Sequence, residues 1–137
     1  MRKTYIFILT HGLWGQELIK STEMVIGGNI SDIRAFPLMP EISLAKYQAA
    51  IENAIKELPD FDFLFLVDIL GGTPYNISAC FTQTHRQIEA ISGLSMDLLI
   101  TTLDLRQQLP CSEIPAHLIS HFEHPGNYIT DLKRLLE

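Results

Sequence analysis

A chain of 137 residues, 47% of them hydrophobic and 19% charged, is long enough to bury one core, too short for two, and too apolar to stay disordered. Its net charge of −6, with only 10 scattered Lys and Arg residues, excludes a binder of nucleic-acid backbones, which needs clustered cations. No apolar run approaches the roughly 20 residues of a membrane-spanning helix, and the short apolar run near the start lacks a cleavage site of small residues, so a cytoplasmic protein of one domain over residues 1–137 is expected.

Tyr5 to Leu9 is aromatic and β-branched without alternation, which predicts a strand buried on both faces and ending at Thr10-His11-Gly12. From Gln16 onward Leu18, Ile19, Met24, Val25 and Ile26 recur near helical spacing until Gly27-Gly28 stop them. Ile33 to Phe36 predicts a second strand. Ser43 then opens a helix in which Leu44, Tyr47, Ile51, Ala54, Ile55 and Leu58 share one side before Pro59. The segment FDFLFLVD, residues 61 to 68, predicts a third buried strand that, like the first, stops at an ionisable residue, Asp68, followed by glycines.

In the next stretch, GGTPYNISACF, Thr73 is the expected N-cap of a helix and Pro74 suits its first turn, where no amide donor is needed. Gly71 and Gly72 leave the approach to that turn open. Gln87 to Ile91 predicts a fourth strand, and Ser95 caps a helix through Met96, Leu99, Ile100, Leu103 and Leu105. Beyond Pro110 the pattern weakens, with a helix expected from Asn127 to Leu136. Strands alternating with helices predict an α/β fold, a doubly wound and mainly parallel sheet with helices on both faces. Cys80 falls in a predicted helix and Cys111 in a loop, without a CxxC spacing, and both read as reduced thiols.

Ligands of open α/β sheets bind outside the carboxyl ends of the strands, where the strand order reverses. His11 and Asp68 are both expected at such ends. A carboxylate that accepts the proton on one imidazole nitrogen leaves the other nitrogen free to attack or to bind metal. Backbone amides of Gly72 and Thr73 at a helix N-terminus would offer donors to a phosphoryl group, and the Thr73 hydroxyl a further one unless capping occupies it. On the residues alone, a loop or capping role for His11 and a plain turn at GGTP stay open.

His117, His121 and His124 have a spacing that would place three imidazoles on one helix face. Pro115 and Pro125 crowd the segment and no acidic or cysteine ligands accompany it, so no metal site is expected and the three read as surface or packing residues. His85 beside Arg86 suits a helix C-terminus. Asp104 and Arg106 are assigned no function.

The segments THGLWGQELIKSTEMVIG and FLVDILGGTPYN resemble the two hallmark segments of the mannose-type enzyme IIA domain of the bacterial phosphoenolpyruvate-dependent sugar phosphotransferase system, and length and element order match over most of the chain, roughly residues 4–105. The resemblance implies a cytoplasmic carrier, usually a homodimer, in which His11 takes a phosphoryl group from phospho-HPr and hands it to a cognate enzyme IIB, and Asp68 holds the ring. It implies phosphate-binding at Gly71, Gly72 and Thr73, no cofactor or metal, and contact with the membrane only indirectly through the permease components. Relatives also carry an antiparallel edge strand exchanged between subunits, which the sequence does not locate. Because both protein partners must reach His11, an exposed apolar rim is expected, with Leu13, Trp14, Leu70 and Tyr75 as candidates; for Trp14 and Leu70 burial in the core is the alternative. Two other readings keep the fold: a carrier subunit serving a dihydroxyacetone kinase, disfavoured by the VD-x-x-GG-[ST]-P loop, and a non-catalytic regulatory or ligand-binding module with an inert His11.

Overall fold

The strand β1 (Lys3–His11) lies at the centre of the molecule because its side chains are apolar on both faces. In the computed structural model, which describes residues 1–127 and 129–137, it pairs in parallel with β2 (Ile33–Leu38) on one side and β3 (Phe61–Val67) on the other. The strand β4 (Ile88–Ser92) completes the sheet in the order β2-β1-β3-β4. The described residues form these four parallel strands, and the possible antiparallel edge strand is not among them. Pro37, which has no amide hydrogen, sits on the edge strand β2, where a missing donor is tolerated.

Alternation along the two central strands divides the core. Phe7, Leu9, Phe63, Phe65 and Val67 face a layer that includes Tyr47, Ile51, Ile77 and Phe81, contributed by α2 (Leu44–Lys56) and α3 (Thr73–Thr84). Ile6, Ile8, Leu64 and Leu66 face the opposite layer, built from α1 (Trp14–Ile26), α4 (Met96–Leu105) and α5 (Ile114–His121). Each fully buried aromatic or aliphatic side chain contributes about 1.5–3 kcal/mol relative to exposure. The Tyr47 hydroxyl donates to the Phe36 carbonyl at 2.6 Å, which ties α2 to the strand beneath it.

The caps follow the sequence at two helices. Ser43 accepts a hydrogen bond from the Lys46 amide at 3.2 Å, and Ser95 accepts one from the Leu98 amide at 3.0 Å. Gly27 ends α1 in the left-handed conformation. The helix nevertheless begins two residues before Gln16, and its buried face differs from the expected one. Gly15 and Thr22 are buried and Leu18 and Ile19 pack on the core, whereas Met24, Val25 and Ile26 are exposed.

The region after Pro110 departs furthest from expectation. Cys111–Glu113 forms a 3₁₀ turn that leads into α5, whose Ile114 and Leu118 are buried. The Cys111 thiol is enclosed and donates to the Phe63 carbonyl at 3.3 Å, and burial pushes its pKa up to about 12; Cys80 is exposed on α3. In place of a helix over 127–136 there is a 3₁₀ turn, Pro125–Asn127, and a single turn α6 (Leu132–Leu135), while Tyr128, inside that expected helix, lies outside the described residues. Ile129, Leu132, Leu135 and Leu136 are all exposed, so the segment lacks the packing on which short helices depend.

Arg106, to which the sequence assigns no function, closes the end of the sheet opposite the carboxyl ends. Its guanidinium donates to the carbonyls of Ser31 at 2.6 Å, Asp32 at 2.8 Å and Thr4 at 3.4 Å. One charged fork thus satisfies three carbonyls and anchors the end of α4 to the chain entering β2. No helix among the described residues is long and apolar enough to cross a membrane.

Candidate active site

The chain places β2 to one side of β1 and β3 to the other, so the strand order reverses between β1 and β3, the place where open α/β sheets bind their ligands. Register pairs Ile8 with Leu66 and Leu9 with Val67, which puts Asp68, just past β3, level with Thr10 and next to His11, the last residue of β1. The two are 57 residues apart in sequence and in direct contact.

One carboxylate oxygen holds both ends of the histidine. Asp68 Oδ2 accepts from the His11 backbone amide at 2.7 Å and from the imidazole Nδ1 at 2.7 Å, and Oδ1 accepts from the Ile69 amide at 2.9 Å. The Asp68 side chain is 5% exposed and that of His11 48%. Burial by itself would raise the Asp68 pKa; the hydrogen bonds from the His11 amide and ring and from the Ile69 amide, with the charge of the nearby imidazole, outweigh it and hold the pKa below the ordinary aspartate range. An ionised carboxylate has no proton to donate, so the shared proton sits on Nδ1, and a neutral ring carries its free lone pair on the exposed Nε2.

The N-terminus of α3 lies against the same ring. Its cap is Gly72, in an extended conformation, and Thr73 is the first helical residue with Pro74 in the first turn. The expectation that Thr73 caps the helix is therefore corrected: the first helical bond is accepted by the Gly72 carbonyl, so Thr73 already lies inside the helix, and a Cβ at position 72 would lie 2.8 Å from His11 Cε1 and 3.4 Å from Nε2. A side chain at the cap would have to displace the His11 ring, and the cap makes no side-chain hydrogen bond. Gly71 has φ +85°, a conformation that side chains rarely adopt. The first helical bond is from the Asn76 amide to the Gly72 carbonyl, so the Thr73 and Tyr75 amides precede the helical ladder, at the positive end of the helix dipole.

Replacing Gly72 with alanine is expected to cost about 1–3 kcal/mol of stability, typical of an overpacked site, or to turn the imidazole away from Asp68. Chemical denaturation together with nitrogen NMR of the imidazole checks this: wild-type stability with an unmoved ring would refute the steric argument.

Leu13, Trp14 and Leu70 are exposed around this site. Tyr75, the fourth candidate, is half-buried and packs on the core layer formed with α2 and α3. Two contributors were not legible in the sequence. Ile69, between Asp68 and Leu70, is exposed, and the β2–α2 connection, from Leu38 at the end of β2 through Met39, Pro40 and Ile42 to Leu44 at the start of α2, walls a crevice of about 440 Å³ beside His11. The Gly12 amide, donating to the Leu38 carbonyl at 2.8 Å, joins that loop to the histidine turn. No motif marks the loop; only the pairing of β2 with β1 brings it to the site.

The remaining histidines stand apart. His117 and His121 lie on α5 and His124 follows its end, all exposed, and the described residues contain no group of three His, Cys, Asp or Glu side chains placed to hold a metal ion. His85 is the C-cap of α3. The arrangement at His11 is thus an imidazole held through Nδ1 by a buried carboxylate, with Nε2 left exposed, beside a helix N-terminus.

Residues 5–119 match the family model EIIA-man, described as the PTS system fructose IIA component. The chain is 30% identical over 110 residues to the fructose-specific EIIA component of Bacillus subtilis, covering 80% of this chain and 75% of that protein. It is 28% identical over 108 residues to the sorbose-specific EIIA component of Klebsiella pneumoniae, covering 79% and 78%. Among solved structures, the mannose/sorbose-specific IIA subunit of the phosphotransferase system from Enterococcus faecalis shares the fold with a TM-score of 0.77 at 26% identity, over 86% of this chain and 88% of that one.

Proposed function

This chain belongs to the mannose-type EIIA family of sugar phosphotransferase system components, and from that premise we propose that it is a phosphoryl carrier that accepts the group on His11 Nε2 from phospho-HPr and passes it to a cognate enzyme IIB. The observation that supports this most directly is the double hold of Asp68 Oδ2 on the His11 amide and Nδ1, which leaves Nε2 as the one free ring nitrogen.

In the transfer, the Nε2 lone pair forms a bond to phosphorus as the bond between phosphorus and the donor breaks, and that electron pair leaves with the donor. The ring gains positive character while Nδ1 keeps its proton, and the Asp68 carboxylate stabilises it. Phosphoryl transfer of this kind depends on positioning and electrostatics. The amides at the start of α3 and the Thr73 hydroxyl face the equatorial oxygens, and Gly71 and Gly72 keep side chains out of their way. The second transfer reverses the first: Nε2 recovers its lone pair and the partner nucleophile takes the phosphorus. No step calls for a metal. We place the protein in the cytoplasm, as a homodimer, in contact with the membrane only through permease components.

The test is mass spectrometry after incubation with phosphoenolpyruvate, enzyme I and HPr. One acid-labile phosphate located on His11 is the expected result, and an unlabelled chain, or a label on another residue, removes the proposal.

A further inference from the structure

Thr10, beside the histidine, is polar yet fully buried, and the chemistry proposed for His11 gives it no part. Its side chain faces away from the imidazole. A Cβ on Gly15 of α1 would lie 3.0 Å from Thr10 Oγ1, from Thr10 Cγ2 and from Ile8 Cγ2, so Thr10 faces α1, whereas the His11 ring stands on the other face of the sheet, against Gly72 at the start of α3. Buried hydroxyls are as a rule hydrogen-bonded, and this one finds its partner two residues on: Oγ1 donates to the Gly12 carbonyl at 3.0 Å.

That carbonyl belongs to a peptide whose orientation the backbone leaves loose. Gly12 has φ +66°, in the left-handed region that glycine enters and leaves without steric cost. Rotation of the peptide between Gly12 and Leu13 would exchange the places of the Gly12 carbonyl and the Leu13 amide, because the C=O and N–H of a trans peptide point in opposite directions, and no peptide bond among the described residues is cis. With the Gly12 oxygen held toward Thr10 on the α1 side, the Leu13 N–H is directed to the side of His11 and α3. The Gly12 amide is engaged by the Leu38 carbonyl at 2.8 Å, but among the described residues the Leu13 amide has no backbone acceptor.

We infer that Thr10 is a positioning residue for phosphoryl transfer, whose hydroxyl fixes this peptide so that the Leu13 N–H, and not the Gly12 carbonyl, faces the group on Nε2. The inference rests on His11 as the acceptor and adds a donor from the histidine turn, opposite the amides at the start of α3. An N–H at that place stabilises the equatorial oxygens as charge gathers on them. A carbonyl there would set a partial negative charge against the same oxygens, so one buried hydroxyl decides the sign of the contribution from this peptide.

Thr10→Ser and Thr10→Ala lose the same methyl group and differ by the hydroxyl alone. In transfer from phospho-HPr to the intact chain, Thr10→Ala is expected to lower kcat about tenfold with KM within about twofold, the pattern of a contact made to the reacting group, and Thr10→Ser to recover most of the rate. Amide NMR reads the contact itself. In wild type the Leu13 amide proton is expected to move downfield when His11 is phosphorylated with phosphoenolpyruvate, enzyme I and HPr, and in Thr10→Ala to stay in place, a difference that lost stability alone would not produce. The wild-type shift needs no variant, so it tests the inference even where Thr10→Ala folds poorly. An unmoved Leu13 amide in phosphorylated wild type overturns the inference, and so does a folded Thr10→Ala that transfers at the Thr10→Ser rate. Either result, obtained with His11 labelled, leaves the carrier reading standing, whereas a His11 that takes no label removes both.

Discussion

Substitution of His11 by alanine is expected to reduce phosphoryl labelling through enzyme I and HPr to background while leaving a folded protein. The two halves of that result have separate physical grounds. Labelling needs the Nε2 lone pair, and no other group at the crevice replaces it: the Thr73 hydroxyl is a far weaker nucleophile at neutral pH. Folding survives because the buried Asp68 carboxylate keeps two of its donors, the amides of residue 11 and of Ile69, both from the backbone. Only the ring Nδ1 bond is lost, on the half-exposed side, where water takes its place. The stability change is therefore expected to be near 1 kcal/mol, the size of a single net hydrogen bond. Circular dichroism and a denaturant titration check the fold, and mass spectrometry checks the label. Label retained in the variant would place the acceptor on another histidine.

Much of the fold is legible because the central strands have little freedom. β1 and β3 are buried on both faces, and FDFLFLV and YIFIL show it as unbroken apolar runs that no solvent-facing strand would carry. Both runs stop at an ionisable residue where the parallel strands end: His11 is half-exposed there, whereas Asp68 is buried and held by three hydrogen bonds. His11 and Asp68 can thus be found from the pattern, although their contact depends on strands one and three being neighbours.

What the sequence conceals is set by tertiary contact. Nothing local distinguishes Thr73 from an ordinary cap; the helical ladder starts one residue earlier, from the Asn76 amide to the Gly72 carbonyl, and the His11 ring occupies the space that a Cβ at position 72 would take. In α1 the apolar residues continue to Ile26, yet the final turn is exposed, so periodicity overstates its buried face. The opposite error occurs at α5, where Ile114 and Leu118 are buried in a segment crowded with proline and histidine. Pro115 lies in the first turn of that helix, where proline is welcome, and starts it instead of breaking it. The loop from Leu38 to Leu44 bears on His11 only through the β1–β2 pairing, information that resides in the sheet order alone.

Asp68→Asn is expected to slow phosphoryl transfer by about 10³-fold, on the scale of removing the carboxylate that fixes a catalytic imidazole tautomer. The carboxylate accepts three hydrogen bonds through two oxygens, and an amide has only one acceptor oxygen. If the Asn oxygen serves the His11 amide and Nδ1, its NH₂ faces the Ile69 amide, donor against donor. If it turns to serve Ile69, the NH₂ faces the His11 amide and drives Nδ1 to act as acceptor, which moves the ring proton to Nε2 and blocks attack. Stability should separate from activity through pH. The Asp68 pKa is lowered in the folded state, so its contribution is present in full above the ordinary aspartate range and is lost as pH falls through the lowered folded value. Wild type is therefore expected to exceed the Asn variant in stability at pH 7, with the gap closing in acid as the pH falls from the ordinary aspartate value through the lowered folded one. Denaturant titrations at pH 7 and through that acid range measure the gap, and single-turnover transfer measures the rate; transfer at the wild-type rate would remove Asp68 from the mechanism, and a gap that persists in acid would mean that its hold on His11 is not that of a carboxylate ion.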